Sequence, residues 1–361
     1  MMVTTGPPHP HPPSPSFRHL GRMSDERGTF EHADHADPRR VHGYCTDDMA
    51  RVLVVTSREP EPDPLVVGLA RTALRFLAEA QDGVGASRNR MDVRGRWLDG
   101  HGTDDCWGRS LWAFGTAAAR NPDHEVRKAA LAHFERGTEQ RSPWPRAMAF
   151  AALGAAEVAA ARPGHIRARG LLAAAADVIG ACGSDPSWPW PEPRLTYANA
   201  VLPDAMIAIG AALGRERVRD DGLTLLTWLL DHETADGHLS VTPVGGLGSG
   251  DPRPAFDQQP IEVAALADAC VRASRLTRSD MWPTDDPLEL IDPRTFLAGV
   301  DRAVAWFLGD NDGHAVMWDA ETGGGYDGLR ADGPNLNQGT ESTLALISTL
   351  QHARDLAPVA P

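Results

Sequence analysis

The 361-residue sequence has little positive charge, no long apolar run and few cysteines. Lys and Arg total 35 against 49 Asp and Glu, and the net charge of -14 repels nucleic acid phosphates and anionic lipid headgroups. No basic patch offsets it, so neither nucleic acid nor membrane is expected as a partner. No apolar stretch approaches the roughly 20 residues that span a bilayer, and the N-terminal TGPPHPHPPSPS lacks the apolar core of a secretory signal. The expected location is the cytoplasm. The four cysteines, Cys45, Cys106, Cys182 and Cys270, form no CxxC pair and sit in or beside apolar helical segments, which reads as free buried thiols.

Metal and phosphate signatures are missing too. His32 and His35 in EHADHAD belong to no HExxH pattern, Asp310-Asn311-Asp312-Gly313 breaks calcium-loop spacing and reads as a turn, and Gly323-Gly324-Gly325 follows no strand. No metal or other cofactor is expected. No alternating strand pattern runs beyond a few residues.

What is present is helix, and enough apolar residues (42%) for a sizeable core. Residues 1–17, rich in Pro and His, read as a disordered tail, and 18–361 as a single domain. Two kinds of helix alternate. One set opens with polar residues, at about 46–57, 104–119, 144–161, 198–213, 258–275 and 338–354; plainer amphipathic helices fall at about 64–81, 123–137, 165–182, 217–232 and 295–308. Hairpins repeated in this way predict a closed ring or a solenoid, with six inner helices and at least five outer ones. Alanine-rich runs such as 149–161 suit an inner helix packed on both sides. The loops leading into inner helices (82–103, 183–197, 233–257 and 309–337) are long and the opposite turns short, which predicts one functional rim.

The inner-helix beginnings present Asp47, Asp48 and Arg51; Asp104, Asp105 and Arg109; Trp144 and Arg146; Tyr197 and Asn199; Asp257, Gln258, Gln259 and Glu262; and Asn337, Gln338 and Glu341. An N-cap explains one small polar residue per helix, but not Arg51, Arg109, Glu262 and Glu341 a turn further in. Glycosidic hydrolysis needs two carboxyl groups, one protonated and one ionised. Asp105 and Glu341 are the expected pair, with Asp48 and Asp257 as substitutes. Arg51, Arg109 and Arg146 are expected to orient, and Gln258, Gln259, Asn337 and Trp190 to bind hydroxyls. Ten tryptophans stand against three tyrosines; Trp97, Trp107, Trp144, Trp188 and Trp190 fall at the rim as sugar platforms, whereas Trp112, Trp228 and Trp306 read as core. Sugar epimerisation would need a histidine pair at the cavity floor, and the inner helices carry only His352, near an end.

The segments GTFEHADHADPRRVHGYCTDDMARVL, RWLDGHGTDDCWGRSLWAFG, SPWPRAMAFAALG, WPWPEPRLTYANAVLPDAMIAIG, FDQQPIEVAALADAC and WFLGDNDGHAVMWDAETGGGYDGL with NLNQGTESTLAL resemble a bacterial family of six-hairpin toroid proteins. The likeness covers about residues 18–355. It implies an all-α (α/α)6 toroid and a carbohydrate setting, beside or fused to glycosyltransferases and near mannoside phosphorylases, which are the partners it suggests. Its members are often labelled glycosyltransferases, and toroid glycosidases commonly invert. The matching segments carry Glu31, His32, Asp47, Asp48, Arg51, Asp105, Arg109, Arg146, Asn199, Asp257, Gln258, Gln259, Glu262, Asp327, Asn337, Gln338 and Glu341. The family pattern has Gln where Glu31 stands and a Ser-His pair at Cys106 and Trp107, so no role carries over to residues 31 and 107.

Overall fold

The computed structural model describes residues 12–277 and 292–357. Twelve α-helices make up most of it. The inner helices are α2 (Thr46–Ser57), α4 (Asp105–Arg120), α6 (Pro145–Ala161), α8 (Val201–Leu213), α10 (Pro260–Thr277) and α12 (Thr340–Leu356). The outer ones are α1 (Arg18–Arg22), α3 (Pro64–Ala80), α5 (His124–Gly137), α7 (Ile166–Ile179), α9 (Glu216–His232) and α11 (Pro293–Phe307). Each inner helix packs on the next, and α12 returns to α2, so the ring closes as an (α/α)6 toroid. The sixth outer position belongs to the five-residue α1, which packs on α12 and was too short to leave a periodic signal.

Local chemistry sets the helix starts. Asp63 and Asp292 accept backbone N–H groups of the first turns of α3 and α11, each followed by proline, whose fixed φ suits the first helical position. Inner helices are apolar nearly all round, because they are enclosed by neighbours: α6 buries every residue from Arg146 to Ala156. Its contact with α4 depends on glycine. A β-carbon on Gly115 would lie 2.2 Å from the Gly154 carbonyl oxygen, and one on Gly154 2.1 Å from that of Leu111, so the backbones touch where no side chain fits.

The turns 58–63, 121–123, 162–165 and 214–215 are short, and the long loops lie at the other end of the ring. Those loops carry four small antiparallel pairs: β1 (Ala33–Asp34) with β2 (Asp37–Pro38), β3 (Tyr44–Cys45) with β4 (Arg90–Met91), β5 (Thr234–Ala235) with β6 (His238–Leu239), and β7 (Gly328–Arg330) with β8 (Gly333–Asn335). Their two or three residues are too few to show as alternation. Residues 1–11 of the expected tail lie outside the described residues, and its last residue, Phe17, is buried in the core. All four cysteines are free thiols, Cys182 half-buried and the others buried. Residues 310–313 form the expected turn, with the buried Asn311 amide donating to the carbonyls of Trp306 and Ala315.

Charge is arranged along the ring axis. Carboxylates crowd the end where inner helices begin, and where they finish five arginines, Arg58, Arg120, Arg169, Arg272 and Arg275, outnumber Glu157 and Asp268 around a cavity of about 410 Å³. Each sign opposes the partial charge of the helix ends it faces. Between the two ends Val54, Val55, Phe150, Leu153, Ile261 and Leu344 close the axis down to about 40 Å³ of space, which gives the mouth a floor.

Candidate active site

The mouth is a cavity of about 530 Å³ into which residues from the starts of α2, α4, α10 and α12 converge. Seven carboxylates line it: Glu31, Asp47, Asp48, Asp105, Asp257, Asp327 and Glu341. Against them stand three guanidinium groups, Arg51, Arg90 and Arg109.

Arg51 sits at the centre of this charge. It bridges Asp48 on its own helix, at 2.7 Å, to Glu341 on α12, at 2.6 Å. Burial works against its charge, but Glu341 and Asp48 outweigh that and raise its pKa. Asp48 is pushed up to about 7, first by burial and then by the charges of Glu341 and Glu31, with Arg51 pulling the other way. Glu341 keeps 43% of its side chain exposed to the cavity.

Arg109, one turn into α4, lies 3.6 Å from Asp47 and 3.8 Å from Asp105, with its guanidinium 4.0 Å from the Phe150 ring centroid. Its Nε and Nη1 are buried without a hydrogen-bond partner, behind the carboxylates that face the cavity. The Tyr197 hydroxyl donates to Asp105 Oδ2 at 2.9 Å. Burial and the nearby Asp105 raise the tyrosine pKa, so it stays a donor.

Across the ring, Asp257 precedes α10. Gln258 bridges to Leu329 of β7 and so places Asp257 beside Arg330, 3.6 Å away. Burial raises the Asp257 pKa, with Arg330 opposing, and its Oδ1 is buried without a partner. Asp327 accepts the Gly339 N–H at 2.7 Å, and burial pushes its pKa up to about 6.

Glu31, Cys45 and Asp48 offer ligand atoms within 4.8 Å of one another. Their chemistry does not suit a metal. Burial drives the Cys45 thiol well above its ordinary value, and it donates to Asp48; Arg51 and Arg90 already supply positive charge to Asp48 and Glu31.

Several expected ligand contacts turn out to be scaffold. Gln258 is fully buried, donating to Asp312 and accepting from Trp306; only its neighbour Gln259 reaches the mouth. Gln338 is buried and bonded to Asp319 and Thr322, and Asn337 accepts the His35 N–H outside the cavity lining. Glu262 accepts from the backbone of Ala198 and Asn199 and from the Asn199 amide, and so clamps the loop before α8 to α10. Burial and the nearby Glu233 raise its pKa. Trp190 is buried against Trp228 and donates to Glu192, and is therefore wall rather than platform. Trp107 is likewise core, while Trp97 packs on Phe76 and Trp188 on Trp228. Of the five rim tryptophans only Trp144 stands free, 58% exposed.

Glu31 and His32, which the resembling segments carry, lie at the mouth, and Glu192, which the sequence did not single out, lies beside it. Glu31, ion-paired with Arg90, reaches the mouth because β3 pairs with β4. Glu192 accepts from Arg146 at 2.6 Å, and its sequence signal is a single charge among the tryptophans and prolines of WPWPEPR. His32 is the one histidine among the described mouth-lining residues, and His352 lies buried at the opposite end, hydrogen-bonded to Asp268.

No family model matches the sequence, and no curated protein matches it. Solved structures do. A sugar epimerase from a ruminal bacterium superposes with a TM-score of 0.66 at 12% identity, over 95% of this chain and 96% of that one. D-mannose isomerase gives 0.62 at 10%, over 94% and 95%. A metagenome-derived family 9 endoglucanase gives 0.60 at 12%, over 91% and 71%. The chain therefore has the six-hairpin toroid fold that sugar epimerases, an isomerase and glycoside hydrolases share.

Proposed function

We propose that this protein is a carbohydrate-active enzyme that hydrolyses a glycosidic bond at the mouth of the toroid. The supporting observation is that Asp105, at the start of α4, and Asp257, just before α10, line one cavity from opposite sides of the ring, since α4 and α10 stand three inner helices apart. Asp257, with its pKa raised by burial, is the acid that protonates the leaving oxygen. Asp105, oriented by the Tyr197 hydroxyl, is the base that takes a proton from water as the oxygen of that water attacks the anomeric carbon. The carbon–oxygen bond to the leaving sugar breaks and inversion results. Glu341 and Arg51 hold hydroxyls, and Arg109 supplies positive charge beside Asp47 and Asp105. Relative to the pair expected from sequence, Asp257 takes the place of Glu341, because Arg51 holds Glu341 at 2.6 Å whereas Arg330 stands 3.6 Å from Asp257.

The test is a screen of manno- and gluco-oligosaccharides with product anomers followed by NMR. Asp105→Asn and Asp257→Asn should each lower turnover by about 10²–10⁴-fold, and unchanged turnover in both rejects the assignment. Saccharide binding without turnover in the wild type would favour a glycan-binding module working beside a glycosyltransferase.

A second reading rests on Asp48. A buried carboxyl whose pKa is about 7, next to Glu31 in a cavity that His32 also lines, suits proton transfer at carbon, as an epimerase or isomerase requires. Deuterium entering C2 of mannose, glucose or cellobiose in heavy water would select this reading over hydrolysis.

A further inference from the structure

The mouth does not end at Asp105. A second cavity of about 420 Å³ adjoins it, and the two share Asp105 and Tyr197 as a common boundary. Each lobe alone falls in the range of small-molecule sites, about 300–1,000 Å³.

The outer lobe has an apolar wall and a polar floor. The wall is Trp144, which leaves an indole in water where burial would otherwise stabilise the fold. Its backbone is fixed: the Trp144 N–H donates to Ser142 Oγ at 3.1 Å, and Pro145 follows at the first position of α6. Among the described residues no aromatic ring stacks on it. The floor is Arg146, which donates to the Tyr197 carbonyl at 2.7 Å, to Glu192 at 2.6 Å and to Asn199 Oδ1 at 3.2 Å, and lies 4.9 Å from the Tyr197 ring centroid. Glu192 is fixed a second time by the Trp190 indole N–H. The lobe therefore combines a flat apolar face with carboxylate acceptors at Asp105 and Glu192 that are held before any ligand arrives, and with the exposed Asp104 beside them.

A pyranose ring has the matching chemistry, with C–H faces for the indole and hydroxyl donors for the carboxylates. Three carboxylates against one guanidinium disfavour a phosphorylated or uronic-acid sugar. Resting on the hydrolase reading, we infer that the outer lobe is a subsite for a neutral second sugar, so that the substrate is a neutral oligosaccharide of at least two units whose reacting linkage crosses the Asp105–Tyr197 boundary.

Calorimetric titration of the full chain with glucose, mannose, cellobiose, cellotriose, mannobiose and mannotriose tests this. In one of the two sugar series, affinity should rise on going from one unit to two. Trp144→Ala should weaken di- and trisaccharide binding about tenfold and leave the monosaccharide unchanged, with Trp144→Phe recovering most of the loss. Digalacturonate should bind at least tenfold more weakly than the best neutral disaccharide. Equal effects of Trp144→Ala on one- and two-unit ligands, no effect on either, or preferred binding of digalacturonate would overturn the subsite and leave the mouth chemistry standing. Failure of the wild type to bind any of these sugars would remove the carbohydrate reading and the subsite together. Because the Trp144 side chain is exposed, an unaltered thermal melt is expected and separates ligand effects from misfolding.

Discussion

Asp48→Asn isolates the thermodynamic cost of building the mouth. In the folded chain Asp48 titrates at about 7, against 3.8 for an unperturbed carboxyl. Between those values the native state holds a proton that the unfolded state has released. Stability contributed by this group is therefore full below about pH 4 and falls as pH rises to about 7, where the carboxyl ionises in both states. A shift of about three units at 1.36 kcal/mol each sets an upper bound of about 4 kcal/mol on the decline. Asparagine cannot ionise, so the variant lacks this slope. It also removes the charged partner at 2.7 Å from Arg51, although Arg51 keeps Glu341, so the informative quantity is the slope and not the absolute stability. Urea unfolding of both proteins at intervals from pH 4 to 8 should show the difference, variant minus wild type, rising by up to about 4 kcal/mol. Parallel curves would mean that Asp48 titrates normally in the folded protein, and the electrostatic description of the mouth would be wrong.

Other consequences are as direct. Glu262→Gln puts an amide N–H₂ against donors that Glu262 now accepts, and should cost about 1–3 kcal/mol in urea unfolding; no change would mean that the clamp is not formed. Gly115→Ala drives a methyl into the Gly154 carbonyl and should lower stability by at least about 1–3 kcal/mol. By contrast, Gly170→Ala on the exposed face of α7, where nothing lies within 4 Å, should raise stability by about 0.5–1 kcal/mol in the same assay. Tyr197→Phe removes the hydroxyl that orients Asp105 and should lower kcat while an intact fold is confirmed by circular dichroism; wild-type kcat would remove Tyr197 from the mechanism.

Helix existence and order were legible because they rest on local rules. The pairing of Asp63 with Pro64, the alanine runs of α6 and the twofold sorting of helix openings each depend on neighbours in sequence. Convergence at one rim followed from loop lengths alone. The aim of each side chain did not. Gln258 and Gln259 are adjacent and chemically identical, yet one is bonded to Asp312 and Trp306 in the interior and the other faces the cavity, because the loop pairs with β7 in a register no local pattern encodes. Tryptophan was similarly opaque: Trp188, Trp190, Trp228 and His232 form an aromatic nest drawn from two distant segments, and indoles that look like platforms in sequence are consumed there. Glu31 and Arg90 meet because a two-residue strand pair brings them together, which periodicity does not register.

The bridge from Arg51 to Glu341 joins the first inner helix to the last. It works as a clasp fastened between the opening and the closing stretches of the polypeptide. During synthesis, five inner helices and most of the wall exist before the seventeen-residue α12 that carries the other half of the clasp. Until that helix emerges from the ribosome the ring stays open and Arg51 lacks its Glu341 partner. The pocket is thus among the last features to be completed in a newborn chain, and prematurely terminated copies would leave the ribosome unable to form it.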